Sequence, residues 1–340
     1  MARFRRTWRW SFVLLAAAFL ALVRPAAAFN IIITEPQVPL VPNSVLELAK
    51  SLGYFQREGV DVNFIRVLGT PAAVSALISG HGDMANISLQ SLLTLSAHGE
   101  QRLRAVGSPN KSLSFMIVGH ESIKSVGDLR GKVFGIGAVG SLDDTLTWQV
   151  LRQRGLDPKD VHAVSVGDPH ARLLALLAGK VDATTASFGS WLTLPKKTGL
   201  HVIVSKADYF KAAPIVAKVD VVSQATLDTK RSEITKVTTA LIKLSRAFAR
   251  DPQLWVKSMH AARPDVPVKE LEMMAAAYAG DWCVDGGLDR GELEASAKLL
   301  FSSPKLAHLK LAPIDKWADF TVVNDVLGKL GPSRARAEGR

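Results

Sequence analysis

Apolar positions between residues 29 and 222 switch repeatedly between a period of two and a period near 3.6, which marks an alternation of short strands with amphipathic helices. Residues 29–33 read as a strand. Residues 34–43, with three prolines and no periodicity, read as a loop. Ser44 is placed to cap a helix whose apolar face is Leu46, Leu48, Ala49 and Leu52 and which stops at Gly53. Residues 59–67 alternate as a second strand. A helix over 71–79, a strand over 84–87, a helix over 90–98 and a strand over 115–119 follow. The order β-α-β-α-β implies a parallel, doubly wound sheet. Beyond it, 125–131 reads as a short helix and 132–136 as a strand. Ser141-Leu142-Asp143-Asp144 forms an S-x-x-D capping box that opens a helix to about Arg154. Residues 161–166 are another strand, and 215–222 are a return crossing. From 228 to 330 the pattern is helical, with Ile234/Val237/Leu241/Leu244 and Leu293/Ala297/Leu300 as core faces. Residues 333–340 are expected as a disordered basic tail.

One unit of this pattern occurs twice. Gly69-Thr70-Pro71 leads to Ala76-Leu77-Ile78-Ser79-Gly80, then Asp83 and Ser88. Gly167-Asp168-Pro169 leads to Ala175-Leu176-Leu177-Ala178-Gly179, then Asp182 and Ser187. In each copy Thr or Asp can N-cap a helix, Pro takes the first helical position, and the closing Gly supplies a left-handed stop. Ala76 to Ala175, Asp83 to Asp182 and Ser88 to Ser187 are each 99 residues apart. Several strand-helix-strand units occur in any α/β chain, but the shared spacing favours two similar lobes with a crevice between them.

The chain ends and the composition narrow the context. Arg3, Arg5, Arg6 and Arg9 precede an apolar run over 12–23, and Ala26-Ala27-Ala28 is a small-residue cleavage site, so residues 1–28 are expected as a secretory signal peptide. Arg24-Pro25 closes the run short of the roughly 20 residues needed to span a bilayer. Setting aside the five arginines of that segment lowers the formal charge from +11 to +6, and the remaining cations are dispersed. A nucleic-acid partner is not expected. Cys283 is the one cysteine, which excludes an intramolecular disulfide and a cysteine metal cluster. It also lies far from any lipoprotein processing site. The expectation is a free periplasmic monomer without a cofactor, with Cys283 as a buried small hydrophobe.

The chain resembles the periplasmic substrate-binding proteins of ABC importers, in the family that includes nitrate-, taurine-, alkanesulfonate- and thiamine-precursor-binding members. The resemblance rests on Gly53-Tyr54-Phe55-Gln56-Arg57-Glu58-Gly59-Val60-Asp61-Val62, the two Gly-x-x-Asp units, Val126-Gly127-Asp128-Leu129-Arg130-Gly131-Lys132-Val133 and Gly155-Leu156-Asp157-Pro158-Lys159-Asp160-Val161. It implies two α/β lobes of the type II, Venus-flytrap kind, each a mostly parallel doubly wound sheet, joined by two crossover segments. Lobe one would comprise 29–116 with 219–332, and lobe two 117–218. The lobes would close on a small-molecule ligand and dock on a membrane permease served by an ATPase.

Ligands of open α/β sheets bind beyond the C-terminal strand ends, where helix N-termini present N–H groups. Combined with the resemblance, this selects Gln37, Val38, Pro39 and Leu40 after the first strand and Gly69 and Thr70 after the second. It also selects Ser88 and Gln90, then Gly140, Ser141 and Asp143, and finally Ser187 and Phe188. None of these loops carries Arg or Lys, and Asp143 and Asp144 occupy a helix start that an anion would need. That favours a neutral or donor-bearing organic ligand, with an apolar part against Phe188, Leu40 or Trp191. The alternative is that both acids only stabilise the helix start and point to solvent.

Two rivals share the fold. One is a sensor partner, read by a membrane receptor instead of a permease. The other is an enzyme resembling the pyrimidine synthases of thiamine biosynthesis, whose cysteine-rich iron motif a single cysteine cannot supply. His170, beside Asp168, and His81 are the candidate bases.

Overall fold

A computed structural model of the protein describes residues 28–34, 38, 40, 44–67, 69–110, 114–331 and 333. The expected signal segment up to residue 27, nearly all of the expected tail, and Gln37 and Pro39 lie outside the described residues.

Ten strands form two five-stranded sheets. The first contains β1 (Phe29–Ile33), β2 (Val62–Arg66), β3 (Met84–Ser88), β4 (Leu103–Asn110) and β10 (Lys218–Ser223), in the order β2-β1-β3-β10-β4. The second contains β5 (Phe115–His120), β6 (Val133–Ile136), β7 (His162–Ser165), β8 (Ala183–Ser187) and β9 (Leu200–Val204), in the order β7-β6-β8-β5-β9. The molecule is therefore a two-lobed α/β protein. Each sheet is mixed. In the first, β1 pairs in parallel with β2 and β3, whereas β10 runs antiparallel to β3 and β4. In the second, β6 is parallel to β7 and β8, whereas β5 is antiparallel to β8 and β9. The antiparallel strand of each sheet is the one the chain lays down on arriving from the other lobe, so it enters from the crevice side. Phe115 and Met116, expected to end lobe one, are already paired in the second sheet, and Lys218 is paired in the first.

The two repeated strands, β3 and β8, are the middle strands of their sheets. Asp83 and Asp182 stand one residue before them and do the same work. Asp83 Oδ2 accepts from Asn30 N–H at 2.9 Å, and Asp182 Oδ2 accepts from Val133 N–H at 2.8 Å, so each carboxylate ties the start of its strand to the parallel neighbour. The repeated helices are α3 (Gly69–Ile78) and α6 (Pro169–Leu177). Gly80 and Gly179 follow them at φ 74 and 65, the left-handed stop expected from the sequence. Asp168 caps α6 through the N–H groups of His170 and Ala171. Thr70, by contrast, lies inside α3, because that helix already begins at Gly69.

Two expected caps behave differently. Ser44 precedes α1 (Val45–Ser51) without capping it; it is fully buried, and its hydroxyl instead accepts from Trp255 Nε1 at 3.1 Å. At α5 (Leu142–Gln153) Ser141 accepts from Asp144 N–H at 3.4 Å, but the Asp144 carboxylate returns to Gly140 N–H at 2.6 Å, not to the cap residue. Helix α10 (Arg231–Arg250) covers the first sheet with Ile234, Val237, Leu241, Leu244 and Phe248, all buried. The segment beyond α13 (Arg290–Phe301) returns to the same lobe, where Trp317 accepts from Ala105 N–H at 2.8 Å.

Candidate functional site

Each repeat ends in a strand-to-helix junction, and each junction is mounted on a crossover segment. Ser88 caps α4 (Leu89–Ala97) through Ser91 N–H, and Ser187 caps α7 (Phe188–Leu192) through Ser190 N–H, both at 3.2 Å. The next N–H in each case is spent on the chain passing between lobes. Leu89 donates to Ala217 O at 3.0 Å, just before β10, and Phe188 donates to Ser114 O at 2.8 Å, just before β5. Ser88 and Ser187 thus sit beside the crossings, at the C-terminal ends of their strands. Their own hydroxyls are occupied, each lying 2.7 Å from the hydroxyl of the serine three residues on.

From these junctions the lobes face each other. Gln90, in the first turn of α4, donates from Nε2 to Gly140 O of the second lobe at 2.9 Å. Leu40 packs against Gly189, where a Cβ would lie 3.1 Å from both the Leu40 Cβ and its carbonyl oxygen. Phe188 packs edge-on against the buried ring of Tyr278 at 5.9 Å, and Tyr278 Oη donates to Ser114 Oγ at 2.9 Å. Val38 lies beside Arg263, which donates to its carbonyl at 3.5 Å. Of the residues selected from the sequence, Leu40, Gln90, Gly140 and Phe188 make contacts between the lobes, whereas Val38, Ser88, Ser141, Asp143 and Ser187 are held by partners of their own lobe. Gly69 and Thr70 start α3, and among the described residues they make no hydrogen bond to the second lobe.

The helix start at 141–144 is not the solvated acidic turn that its sequence allowed. Asp143 and Asp144 are both buried. Asp143 accepts from Gly137 N–H at 2.8 Å, Ser141 Oγ at 2.7 Å and Arg172 Nη1 at 2.9 Å. Arg172, only 2% exposed, also donates to Thr185 O and Gly167 O at 2.9 Å each. Burial lowers the pKa of its guanidinium, and the Asp143 carboxylate opposes that shift. Asp144 accepts from Gly140 N–H, Trp148 Nε1 and, from the first lobe, Lys305 Nζ. Both acids are therefore neutralised by cations from outside the loops, and their presence is no argument against an anionic ligand.

Arg172 and Lys305 escaped the sequence reading. For Arg172 a signal existed: it stands on the buried face of α6 with Leu173 and Leu176, at the position where the first repeat has the buried Ala73. Lys305 carries none, since 161 residues separate it from Asp144.

Beside the crevice a groove of about 640 Å³ runs between α7, α8 (Lys206–Ala212) and the end of α12 (Val268–Ala277). Met116, Phe188, Trp191, Val202 and Phe210 form its apolar wall. Lys206 closes one side, donating to Ala277 O at 2.6 Å and Asp281 Oδ2 at 2.7 Å across the lobes. Among the described residues no His, Cys, Asp and Glu cluster could hold a metal, and no helix is long and apolar enough to cross a membrane. His170 is exposed, and what Asp168 holds is its backbone N–H. His81 is exposed with its ring 2.9 Å from Ser79 Oγ. Neither histidine is set against a nucleophile in the crevice. Cys283 is buried.

The chain is similar to a Brucella abortus protein whose name proposes a binding role, at 27% identity over 172 residues, 49% of this chain and 51% of that one. It thus spans about half the length of the curated relatives it matches. Its fold is also that of the alkanesulfonate-binding protein SsuA of Xanthomonas axonopodis pv. citri, with a TM-score of 0.69 at 18% identity over 86% of this chain and 99% of that one. The desulfurization enzyme DSZB shares the fold as well, with a TM-score of 0.64 at 17% identity over 89% of this chain and 99% of that one, so architecture alone does not separate binding from catalysis. The family model described as NMT1/THI5 like matches residues 44–253, well over half of the chain. The protein belongs to the NMT1/THI5-like family.

Proposed function

We propose that this protein is the exported solute-binding component of an ABC importer, a monomer that captures a small organic molecule between its lobes and delivers it to a membrane permease. The observation that carries this reading is the pairing of the two repeat junctions. Each is anchored to a crossover carbonyl, and Gln90, beside the first, reaches Gly140 in a separate loop of the second lobe. The crossings that enter β5 through Ser114 and β10 through 213–217 would then act as hinges between the two lobes. Closure would be a population shift that the ligand drives through its better contacts in the closed state. The signal-like pattern of residues 1–28 supports export to the periplasm.

The test is a thermal-shift screen of the purified protein, unfolded and refolded to strip any carried ligand, against sulfonates, nitrate, pyrimidines, aromatic acids, amides and small amines. A ligand at 100 times its Kd adds about 2.7 kcal/mol of stability. A shift confined to one chemical class supports a binding protein and identifies its cargo. No shift with any class, together with turnover of one of the compounds, would replace this reading by an enzymatic one.

A further inference from the structure

The ligand chemistry is legible in one side chain. Gln90 is 93% buried, and its amide end is fixed between the lobes by the bond from Nε2 to Gly140 O. That assignment of nitrogen and oxygen is forced, because a backbone carbonyl only accepts, so turning the amide over would set two oxygens against each other. In the closed arrangement Gly140 is itself held in place. Its φ of 81 places it in the left-handed region, and its N–H is held by the Asp144 carboxylate, which Trp148 and Lys305 hold in turn. With nitrogen committed, Gln90 Oε1 is left as a buried acceptor that has no partner among the described residues.

The surrounding groups cannot fill it. Both acids of the facing helix start are acceptors themselves, and their oxygens are satisfied within the protein. Ser88 Oγ is engaged with Ser91 Oγ at 2.7 Å, and the Leu89 N–H is engaged with the crossover. A buried acceptor without a donor is costly, which is why nearly all such atoms in proteins are paired.

We infer that the crevice ligand presents an N–H or O–H donor to Gln90 Oε1. This deepens the reading of the protein as a solute-binding component and rests on it. The class it selects is amides, amines and N–H heterocycles. It discriminates against anions that carry no donor, such as nitrate and simple alkanesulfonates. Discrimination of this kind is asymmetric: a ligand lacking the donor loses a bond and also leaves the acceptor buried and unpaired.

Matched probes test it by titration calorimetry on the full protein: uracil against 1,3-dimethyluracil, benzamide against N,N-dimethylbenzamide, and taurine against ethanesulfonate, with nitrate as a further donor-free anion. The expected result is that within the pair that binds, the donor-bearing member binds at least about tenfold tighter. In Gln90→Leu that ratio collapses towards one. Equal affinity within the binding pair, or a preference that Gln90→Leu leaves intact, overturns the inference while leaving a binding protein standing. Tightest binding of nitrate or ethanesulfonate overturns it in the same way. Failure of every probe and of the wider screen removes the binding reading and this inference with it. The wild-type ratio decides the matter even should Gln90→Leu not fold.

Discussion

Asp220 lies at the centre of the return strand, fully within the first sheet, and replacing it by asparagine should change how stability depends on pH. The residue is 3% exposed, and among the described residues Asn86 Nδ2, donating to Oδ1 at 2.9 Å, is its one side-chain donor. Around it a pocket of about 10 Å³, room for about one water, is lined by Ser108, Thr238, Ser245 and Cys283. Burial pushes the carboxyl from 3.8 up to about 7, against the opposing effects of the Asn86 bond and the charge of Lys218. Below pH 3.8 the group is protonated in both folded and unfolded chains and contributes no difference. Between 3.8 and 7 the unfolded chain releases its proton while the folded one retains it, so stability falls as pH rises. Above 7 both forms are ionised and the full cost is present, about 4 kcal/mol for a three-unit shift at about 1.36 kcal/mol per unit. Asp220→Asn keeps the acceptor for Asn86 and removes the charge. Urea unfolding followed from pH 4 to pH 8.5 should show the variant near wild type at the acid end and more stable by some 3–4 kcal/mol at the alkaline end. Parallel stability curves for the two proteins would refute the argument, since they would mean that Asp220 is ionised in the folded protein at no special cost.

Arg172→Met leaves Asp143 buried without its cation and strips two carbonyls of their donor, so urea unfolding should show a loss of about 3–5 kcal/mol. Asp143→Asn should be milder, because Gly137 and Ser141 still have an acceptor. Asp83→Ala and Asp182→Ala each release one strand start from its neighbour; each should cost about 1–2 kcal/mol by the same measurement, and similar losses would show that the repeat is energetic as well as structural. Gly189→Ala puts a methyl 3.1 Å from Leu40 across the crevice, so calorimetry should show weaker binding of the ligand found by the screen, with the unfolding midpoint nearly unmoved. Lys305→Met removes the first-lobe partner of Asp144; affinity should fall by about tenfold, and the salt dependence of wild-type binding should disappear with it.

The fold was readable because its signals are local. Strand β3 and strand β8 announce themselves by Gly-x-x-Asp, and the left-handed Gly80 and Gly179 stop the helices before them. Strands β4 and β9 carry no such local signal. Strand β4 contains Gly107 and Pro109 and owes its place to pairing with β10, a partner more than a hundred residues away. The site was legible only in its loops. Ser88, Gln90, Gly140 and Phe188 follow from strand ends, whereas the residues that decide the charge there, Arg172 and Lys305, come from a helix face and a distant turn. Long-range ion pairs leave no spacing to read. Hence the sequence argument against an anion, built on the loops alone, omitted half of the charges.

The repeat also explains why the crevice is so economical in free backbone donors. A helix N-terminus aimed at a cleft is a ready anion site when its first N–H groups are unclaimed. At α4 and α7 the first and third are claimed, by Ala217 and Ser114 of the crossovers and by the capping hydroxyls of Ser88 and Ser187. The same bonds that fix the two helices to the hinges thus withdraw donors from any ligand, and they do so in both lobes because the unit was used twice. A ligand that brings its own donor meets Gln90 Oε1 instead, and by engaging the residue that already reaches Gly140 it would strengthen the contact that holds the lobes together. Under the proposal, ligand recognition and closure would then rest on one amide, which would tie the specificity of this protein to its conformational change.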